Sequence, residues 1–87
     1  MSTAYHFWSP SCAPCSVIKP SIETLKEEFP DIEWVSVNTT EDKERYVQKF
    51  SVLSWPTIVF FKNGVEVGRH SGTTIALYYT LARRCLA

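Results

Sequence analysis

Residues 6–20 read HFWSPSCAPCSVIKP, and both the fold and the chemistry of this chain depend on this stretch. Cys12 and Cys15 stand three positions apart, after an aromatic, apolar run and before a pattern typical of a helix. Such a pair has three interpretations: a redox-active dithiol, half of a metal site, or two small buried side chains. The elements around the pair decide among them.

A strand pattern precedes the cysteines and a helix pattern follows them. Residues 3–8, TAYHFW, form a short aromatic-rich run bounded by Ser-Pro, which predicts a buried strand. Residues 13–29 carry apolar side chains at intervals of four, three and four, which predicts a helix with one apolar stripe. That stripe consists of Ile18, Ile22, Leu25 and Phe29, with Lys19, Glu23, Lys26 and Glu27 on the other side.

The rest of the chain alternates strand and helix patterns. The Asn63-Gly64 pair lies between two strand-like runs and is a strong hairpin signal. The predicted elements are a strand at 32–38, a helix at 39–50 capped by Thr39 or Thr40, a central strand at 57–62, a return strand at 65–70, and a final helix at 73–87 with Ile75, Tyr78 or Tyr79, Ala82 and Leu86 inward.

These elements predict an α/β fold in the order β-α-β-α-β-β-α. A helix joins the first two strands, so they should be parallel with a right-handed crossover, and the last two should form an antiparallel hairpin. A four-stranded mixed sheet flanked by helices on both faces satisfies this order. No repeat, linker or low-complexity tract divides the chain, so we expect a single domain over residues 1–87.

The composition is that of an ordinary globular protein. Among 87 residues, 45% are apolar and 21% charged, and nine basic side chains balance nine acidic ones. No basic patch stands out and no apolar run is long enough to cross a bilayer, so we expect neither nucleic acid nor a membrane as partner. We see no leader pattern at the start, and three cysteines are too few for a disulfide scaffold, so we expect a cytoplasmic protein.

The place of Cys12 at the start of the predicted helix favours redox chemistry. Unpaired N–H groups and the positive end of the helix dipole stabilise an anion there, so this thiol should ionise readily. Its thiolate can attack a disulfide in a partner, and Cys15, one turn further on, can then attack the mixed disulfide. A zinc site would need ligands from Cys85, His6 and His70, which lack ligand spacing. We therefore favour a dithiol, and expect Cys85 to be an ordinary buried or semi-buried thiol.

Three motifs resemble those of the thioredoxin family. FWSPSCAPC at 7–15 resembles the family's Phe-Trp-Ala-x-Trp-Cys-Gly-Pro-Cys, WPT at 55–57 matches its loop with a cis proline, and FFKNGVEVGRHSG at 60–72 resembles its hairpin and the glycine after it. The resemblance runs from about residue 3 to the end of the chain. It implies a thioredoxin-like fold and a thiol–disulfide oxidoreductase that reduces protein disulfides.

The resemblance also implies a partner surface beside the cysteines. An aromatic residue before a proline favours the cis isomer, and in the family the corresponding loop, here with Pro56, faces the cysteines. Trp55 would then pair through its backbone with an extended segment of the partner. Trp8, Trp55, Ser71 and Gly72 would form the rim of that surface, although Trp8 fits a core position equally well.

The chain also departs from the family pattern. We expect a compact form without the N-terminal strand and helix that thioredoxins carry, closer in size to a glutaredoxin. Ser11 and Ala13 replace the family's Trp and Gly beside Cys12, and His6 stands where the family has a buried Asp that assists the second cysteine. His6 has three interpretations: a satisfied buried polar group, a neutral imidazole that takes the proton from Cys15, or a cation that stabilises a thiolate.

We expect the Cys12–Cys15 dithiol to be the redox group, with no metal or organic cofactor. The resemblance implies that protein disulfides are the substrates, and that electrons come from a flavoprotein thioredoxin reductase or from glutathione. We expect a monomer. Three alternatives stay open: a glutaredoxin-like, glutathione-dependent reductase; a thioredoxin-fold binding subunit with incidental redox activity; and an oxidant or isomerase.

Overall fold

One four-stranded mixed sheet with three helices organises the chain, and the computed structural model describes all of residues 1–87. The order β-α-β-α-β-β-α is the predicted one. None of the helices is long and apolar enough to cross a membrane. In chain order the elements are β1 (Ser2–Trp8), α1 (Ala13–Glu28), β2 (Ile32–Asn38), α2 (Tyr46–Lys49), β3 (Thr57–Lys62), β4 (Val65–Ser71) and α3 (Ile75–Leu86).

The strands lie in the order β2-β1-β3-β4, which confirms that β3 is central. β1 and β2 are parallel, as their helical connection requires, and β1 pairs antiparallel with β3. β3 and β4 form the predicted antiparallel hairpin. Its turn residues Asn63 and Gly64 have φ angles of 52° and 81°, in the left-handed region that glycine and asparagine tolerate best.

Strand alternation divides the core between the two faces of the sheet. Ala4 on β1 faces α1 and α3, and it belongs to a cluster of 11 buried residues that includes Ile22 and Leu25 of α1. Phe7 faces the opposite side, where a smaller cluster packs against α2 and the loop that contains Val52. Successive side chains of a strand point to opposite faces, so β1 contributes to both clusters and the sheet is covered on both sides.

The second helix is much shorter than the predicted helix over 39–50. α2 begins only at Tyr46, and the prediction of a threonine cap is wrong. The N–H and hydroxyl of Thr40 both donate to Oδ1 of Asn38, which holds this segment in a turn. The carboxylate of Asp42 instead accepts hydrogen bonds of 3.0 and 2.9 Å from the N–H groups of the first two residues of α2. The hydrogen bonds from Thr40 to the Asn38 side chain therefore replace the backbone hydrogen bonds that a helix would make in this segment.

The buried stripe of α3 differs from the prediction at its last position. Tyr78 and Ala82 are fully buried as expected, but Leu86 is 39% exposed and Cys85 takes its place in the core. The Sγ of Cys85 donates to the carbonyl of Phe61 at 3.2 Å. Cys85 is therefore the buried free thiol that we expected.

The cysteine motif, the Trp-Pro loop and the end of β4 all lie at the same edge of the sheet. β1 ends at Trp8, immediately before the cysteines, and its partner β3 begins at Thr57, immediately after the Trp-Pro loop. Thr57 pairs in turn with Ser71 at the end of β4. Because β1 and β4 both run antiparallel to β3, these three chain ends meet at the same edge.

Candidate active site

The N-terminus of α1 is built around Cys12. This residue is the N-cap, with an extended backbone at φ −93° and ψ 106°, and the N–H of Cys15 donates to its Sγ at 3.2 Å. Pro14 lies in the first turn, where its missing N–H costs no helical hydrogen bond. The helix thus directs a backbone donor and the positive end of its dipole at Cys12 Sγ, which favours a thiolate on that sulfur.

Cys12 and Cys15 are joined as a disulfide, with their Cα atoms 5.2 Å apart. Cys12 is half-buried, whereas Cys15 is only 7% exposed. A macromolecular partner therefore reaches the sulfur of Cys12 more readily than that of Cys15. No group of three or more His, Cys, Asp or Glu side chains lies close enough together to hold a metal ion. The pair can carry two electrons between its dithiol and disulfide forms.

The Trp-Pro loop lies against the disulfide. The Trp55–Pro56 peptide bond is cis, which confirms the predicted isomer. The carbonyl oxygen of Trp55 is 3.6 Å from Cys12 Sγ, and the Trp55 side chain is 37% exposed while Pro56 is buried. The structure thus places an exposed aromatic residue and its backbone beside the more accessible sulfur.

The end of β4 holds the Trp-Pro loop in place. The N–H of Gly72 donates to the carbonyl of Pro56 at 2.9 Å, and the hydroxyls of Ser71 and Thr57 are 2.6 Å apart. Gly72 has φ +122°, a backbone conformation that other residues rarely adopt, and its carbonyl accepts a 2.6 Å hydrogen bond from the hydroxyl of Tyr78. Burial raises the pKa of Tyr78 to about 12, so this donor stays protonated in neutral solution. Ser71 and Gly72 thus lie beside the loop.

Trp8 lies on the other side of the active-site turn. It is half-buried, and its Nε1 donates to the hydroxyl of Ser36 on β2 at 2.7 Å. The hydrogen bond ties the end of β1 to the neighbouring strand, so Trp8 has a structural contact as well as an accessible face. This contact could not be read from the sequence, because Trp8 and Ser36 lie 28 positions apart on separate strands.

His6 is buried and has no hydrogen-bond partner. Its side chain is on the face of β1 towards α1, only 6% of the residue is exposed, and neither Nδ1 nor Nε2 has a partner. Burial, with a smaller contribution from the charge of Lys26, lowers the pKa of His6 to about 4. The imidazole is therefore neutral at neutral pH, and of the two active roles proposed for it only that of proton acceptor is compatible with this charge.

His6 and Cys15 share a pocket of about 380 Å³ between α1 and the ends of β1 and β2. Side chains at the helical spacing of four and three residues form its α1 wall, so Lys19, Glu23 and Lys26 all line it. The sequence placed these three on the polar side of α1 but did not reveal that a pocket lies there. The structure thus separates the predicted site residues: Cys15, His6 and Trp8 line this pocket, and Pro56, Trp55, Ser71 and Gly72 lie on the Cys12 side.

Comparison with protein families gives one match over most of the chain. The thioredoxin family model matches residues 3–81. Among curated proteins, a thioredoxin of Mycoplasma genitalium is 38% identical over 66 residues, which cover 76% of this chain and 64% of that protein. Thioredoxin-2 of Saccharomyces cerevisiae is 36% identical over 70 residues, covering 80% of this chain and 66% of that protein. The match to each of these relatives thus spans somewhat less than two thirds of its length.

Solved structures share the architecture. The X-ray structure of thioredoxin from Fasciola hepatica has a TM-score of 0.86 and 33% identity, and the alignment covers 97% of this chain and 80% of that one. Thioredoxin from Trypanosoma brucei brucei has a TM-score of 0.88 at 24% identity, with coverage of 99% and 75%, and supports the fold alone. The sheet and the helices of this chain therefore have the architecture of solved thioredoxin structures.

Proposed function

The chain belongs to the thioredoxin family, and from this premise we propose that it is a thiol–disulfide oxidoreductase that reduces protein disulfides. The observation that carries the proposal is the Cys12–Cys15 disulfide at the N-terminus of α1, with Cys12 more exposed and bonded to the N–H of Cys15. That arrangement supplies an activated thiolate and a second thiol within reach of it.

The reaction has two exchange steps. In the dithiol form, the thiolate of Cys12 attacks one sulfur of a partner disulfide, a Cys12–partner bond forms, and the other partner sulfur leaves as a thiolate. Cys15 then attacks Cys12, the internal disulfide forms, and the second partner sulfur leaves. Two electrons pass to the partner, and the internal disulfide is the oxidised product.

His6 is proposed as the group that accepts the proton of Cys15 in the second step. Both residues line the same pocket, and the imidazole is neutral with two unbonded nitrogens. With a pKa of about 4 the imidazole is a weak base, so it would hold the proton of Cys15 only transiently and pass it on to water, which would leave Cys15 as the nucleophile that the step needs. Measurement of the pH dependence of the resolving step in His6→Gln tests the role, because loss of the acceptor should slow that step at neutral pH.

The surface beside Cys12 is proposed to bind the partner. The exposed side chain and backbone carbonyl of Trp55 lie next to the reactive sulfur, held by the buried Pro56. An extended segment of the partner could pair with this backbone as an added strand. Ser71 and Gly72 complete the rim on that side, and Trp8 completes it on the other.

The wider setting is also a proposal. The dithiol itself serves as the redox group, so the reaction needs no metal or organic cofactor. Protein disulfides are the proposed substrates, and either a flavoprotein reductase or the glutathione system would return the Cys12–Cys15 disulfide to the dithiol form. We propose a monomer that works in the reducing cytoplasm, where its disulfide would be transient.

Reduction of insulin by dithiothreitol, followed by the turbidity of the released chains, tests the proposal. Cys12→Ser should abolish the acceleration over dithiothreitol alone. Reduced Cys15→Ser, freed of dithiothreitol and then mixed with insulin, should accumulate a mixed disulfide on Cys12 that is detectable by mass spectrometry. Cys85→Ala is the matched control, because that thiol is buried in the core away from the disulfide. Wild-type acceleration by Cys12→Ser would contradict the proposal.

The reduction potential distinguishes a reductant from an oxidant or isomerase. Equilibration of the Cys12–Cys15 pair against dithiothreitol and glutathione buffers should give a value near −270 mV, as for thioredoxin, if the chain is a reductant. Because His6 is neutral, it adds no positive charge that would stabilise a thiolate. A value above about −200 mV would instead indicate an oxidant or isomerase.

A further inference from the structure

Both backbone groups of Gly72 are tied to other parts of the chain. Its N–H donates to the carbonyl of Pro56 at 2.9 Å, and its carbonyl accepts a 2.6 Å hydrogen bond from the hydroxyl of Tyr78. Pro56 follows Trp55, whose carbonyl oxygen lies 3.6 Å from Cys12 Sγ. Two hydrogen bonds and one residue of the Trp-Pro loop therefore connect Tyr78, near the start of α3, to the backbone beside the reactive sulfur.

Gly72 needs these two hydrogen bonds to keep its conformation. Its φ of +122° is one that glycine reaches readily but does not hold by itself, because a residue without Cβ has a permissive backbone. The N–H and the carbonyl of Gly72 belong to different peptide units, so the bond to Pro56 fixes one unit and the bond from Tyr78 fixes the other. Loss of the Tyr78 hydroxyl would free the second unit to rotate and would weaken the restraint on the first.

The ring of Tyr78 is held independently of its hydroxyl. The residue is fully buried in the 11-residue cluster, and the ring of His70 packs against it with the two centroids 5.1 Å apart. Because burial raises the pKa of Tyr78 to about 12, the hydroxyl stays protonated and remains a donor to Gly72 in neutral solution. A phenylalanine in this place would keep the packing of the ring and remove only the hydrogen bond to Gly72.

We propose that Tyr78 is a positioning residue for protein substrates: through Gly72, its hydroxyl holds the Trp-Pro loop in the conformation that an extended partner segment requires. The proposal rests on the redox function proposed above. The partner segment would pair with the backbone of Trp55, so it binds only while that backbone is correctly placed. A small disulfide needs access to Cys12 and does not need this backbone. Tyr78 should therefore matter for protein disulfides and not for small ones.

The effect should appear in partner binding and not in the exchange of sulfurs. Without the hydroxyl, the loop would occupy its binding-competent conformation for only part of the time, and the apparent dissociation constant rises by the inverse of that fraction. The net contribution of one hydrogen bond corresponds to a change of about two- to tenfold. Cys12 would keep its place at the N-terminus of α1 and the hydrogen bond from the N–H of Cys15, so the exchange step should keep its rate.

Stopped-flow oxidation of the reduced protein tests the proposal, with tryptophan fluorescence as the signal. Insulin serves as the protein disulfide and 2-hydroxyethyl disulfide as the small one, and each gives a second-order rate constant. Tyr78→Phe should lower the rate constant with insulin about two- to tenfold and leave that with the small disulfide unchanged. Tyr79→Phe is the matched control, because it removes a hydroxyl from the neighbouring ring, which packs against Phe29 at 5.9 Å, and it should change neither rate constant.

Amide hydrogen exchange measured by NMR reports the restraint on Gly72 directly. The N–H of Gly72 should exchange faster in Tyr78→Phe than in the wild type, and at the wild-type rate in Tyr79→Phe. Equal slowing of both disulfides by Tyr78→Phe would indicate a general disturbance of the site and would overturn the proposal, as would an unchanged rate constant with insulin. If the wild type itself does not reduce insulin, the proposed function fails. If the wild type and Tyr78→Phe reduce insulin equally well, only the role of Tyr78 fails.

Discussion

The buried imidazole of His6 should make the folded protein less stable in mildly acidic solution. Its pKa falls from an ordinary 6.5 to about 4 in the fold, chiefly because burial disfavours the charged form. Above pH 6.5 the imidazole is neutral in both the folded and the unfolded chain. Between pH 6.5 and 4 the unfolded chain binds a proton that the folded chain does not, so the free energy of unfolding decreases as the pH falls.

The size of the effect follows from the two pKa values. At 1.36 kcal/mol for each pKa unit, the gap between 6.5 and about 4 corresponds to a loss of about 3 kcal/mol at pH 4 and below. Between pH 7 and pH 5 the same relation gives a loss of about 2 kcal/mol. That is a substantial part of the roughly 5–15 kcal/mol by which a domain is usually stable.

Urea unfolding of the oxidised protein at pH 5, 6, 7 and 8 measures the loss. His6→Leu fills a similar volume and removes two unpartnered nitrogens, and His6→Gln keeps polarity without a titrating group. Relative to the wild type, the free energy of unfolding of both variants should rise by about 2 kcal/mol as the pH falls from 7 to 5. The titration of the carboxylates is common to all three proteins and cancels in this difference. Parallel curves of unfolding free energy for wild type and variants would refute the reasoning.

Three further predictions concern stability. Leu25→Ala should lower the free energy of unfolding by about 2–5 kcal/mol, since it leaves a cavity in the core, while the exposed Ser21→Ala should change it by less than about 0.5 kcal/mol in the same urea titration. Asp42→Ala should cost about 1 kcal/mol and speed amide hydrogen exchange in α2, whose first two N–H groups lose their acceptor; unchanged exchange would show that Asp42 is not the cap. Tyr78→Phe should cost about 1 kcal/mol by removing the hydrogen bond to Gly72. Because the pKa of Tyr78 is raised from 10 to about 12, the wild type should also lose stability as the pH rises from 10 to 12, and an equal alkaline loss in Tyr78→Phe would contradict this assignment.

Local signals were sufficient where a short segment makes its own structure. The α1 stripe of Ile18, Ile22 and Leu25 is buried as its spacing predicts, and the Asn63-Gly64 pair forms the hairpin turn. These features depend on side-chain period and backbone preference, which neighbouring residues set. The start of α2 was predicted too early. A pattern of apolar residues does not show that the carboxylate of Asp42 will accept hydrogen bonds from Tyr46 and Val47 and so set the start of the helix at Tyr46.

Contacts between residues far apart in the chain determined the features of the site that local sequence signals could not predict. The cysteine motif and the Trp-Pro loop were identified from the sequence, but their separation of 43 residues is closed to 3.6 Å only by the pairing of β1 with β3. The pocket behind Cys15 arises in the same way, from side chains of α1, β1 and β2. No single segment contains it, so no local pattern indicates it.

The sequence by itself determined the order of the elements, the family, and a pair of cysteines at the start of a helix. Each of these follows from residues close together in the chain, through side-chain periodicity, helix capping and recurrent motifs. Only the tertiary structure decided the ionisation of His6 and the pocket that it shares with Cys15. The reason is physical: a pKa and a cavity depend on how much water the surrounding chain excludes and on which charges it places nearby, and those neighbours come from separate segments.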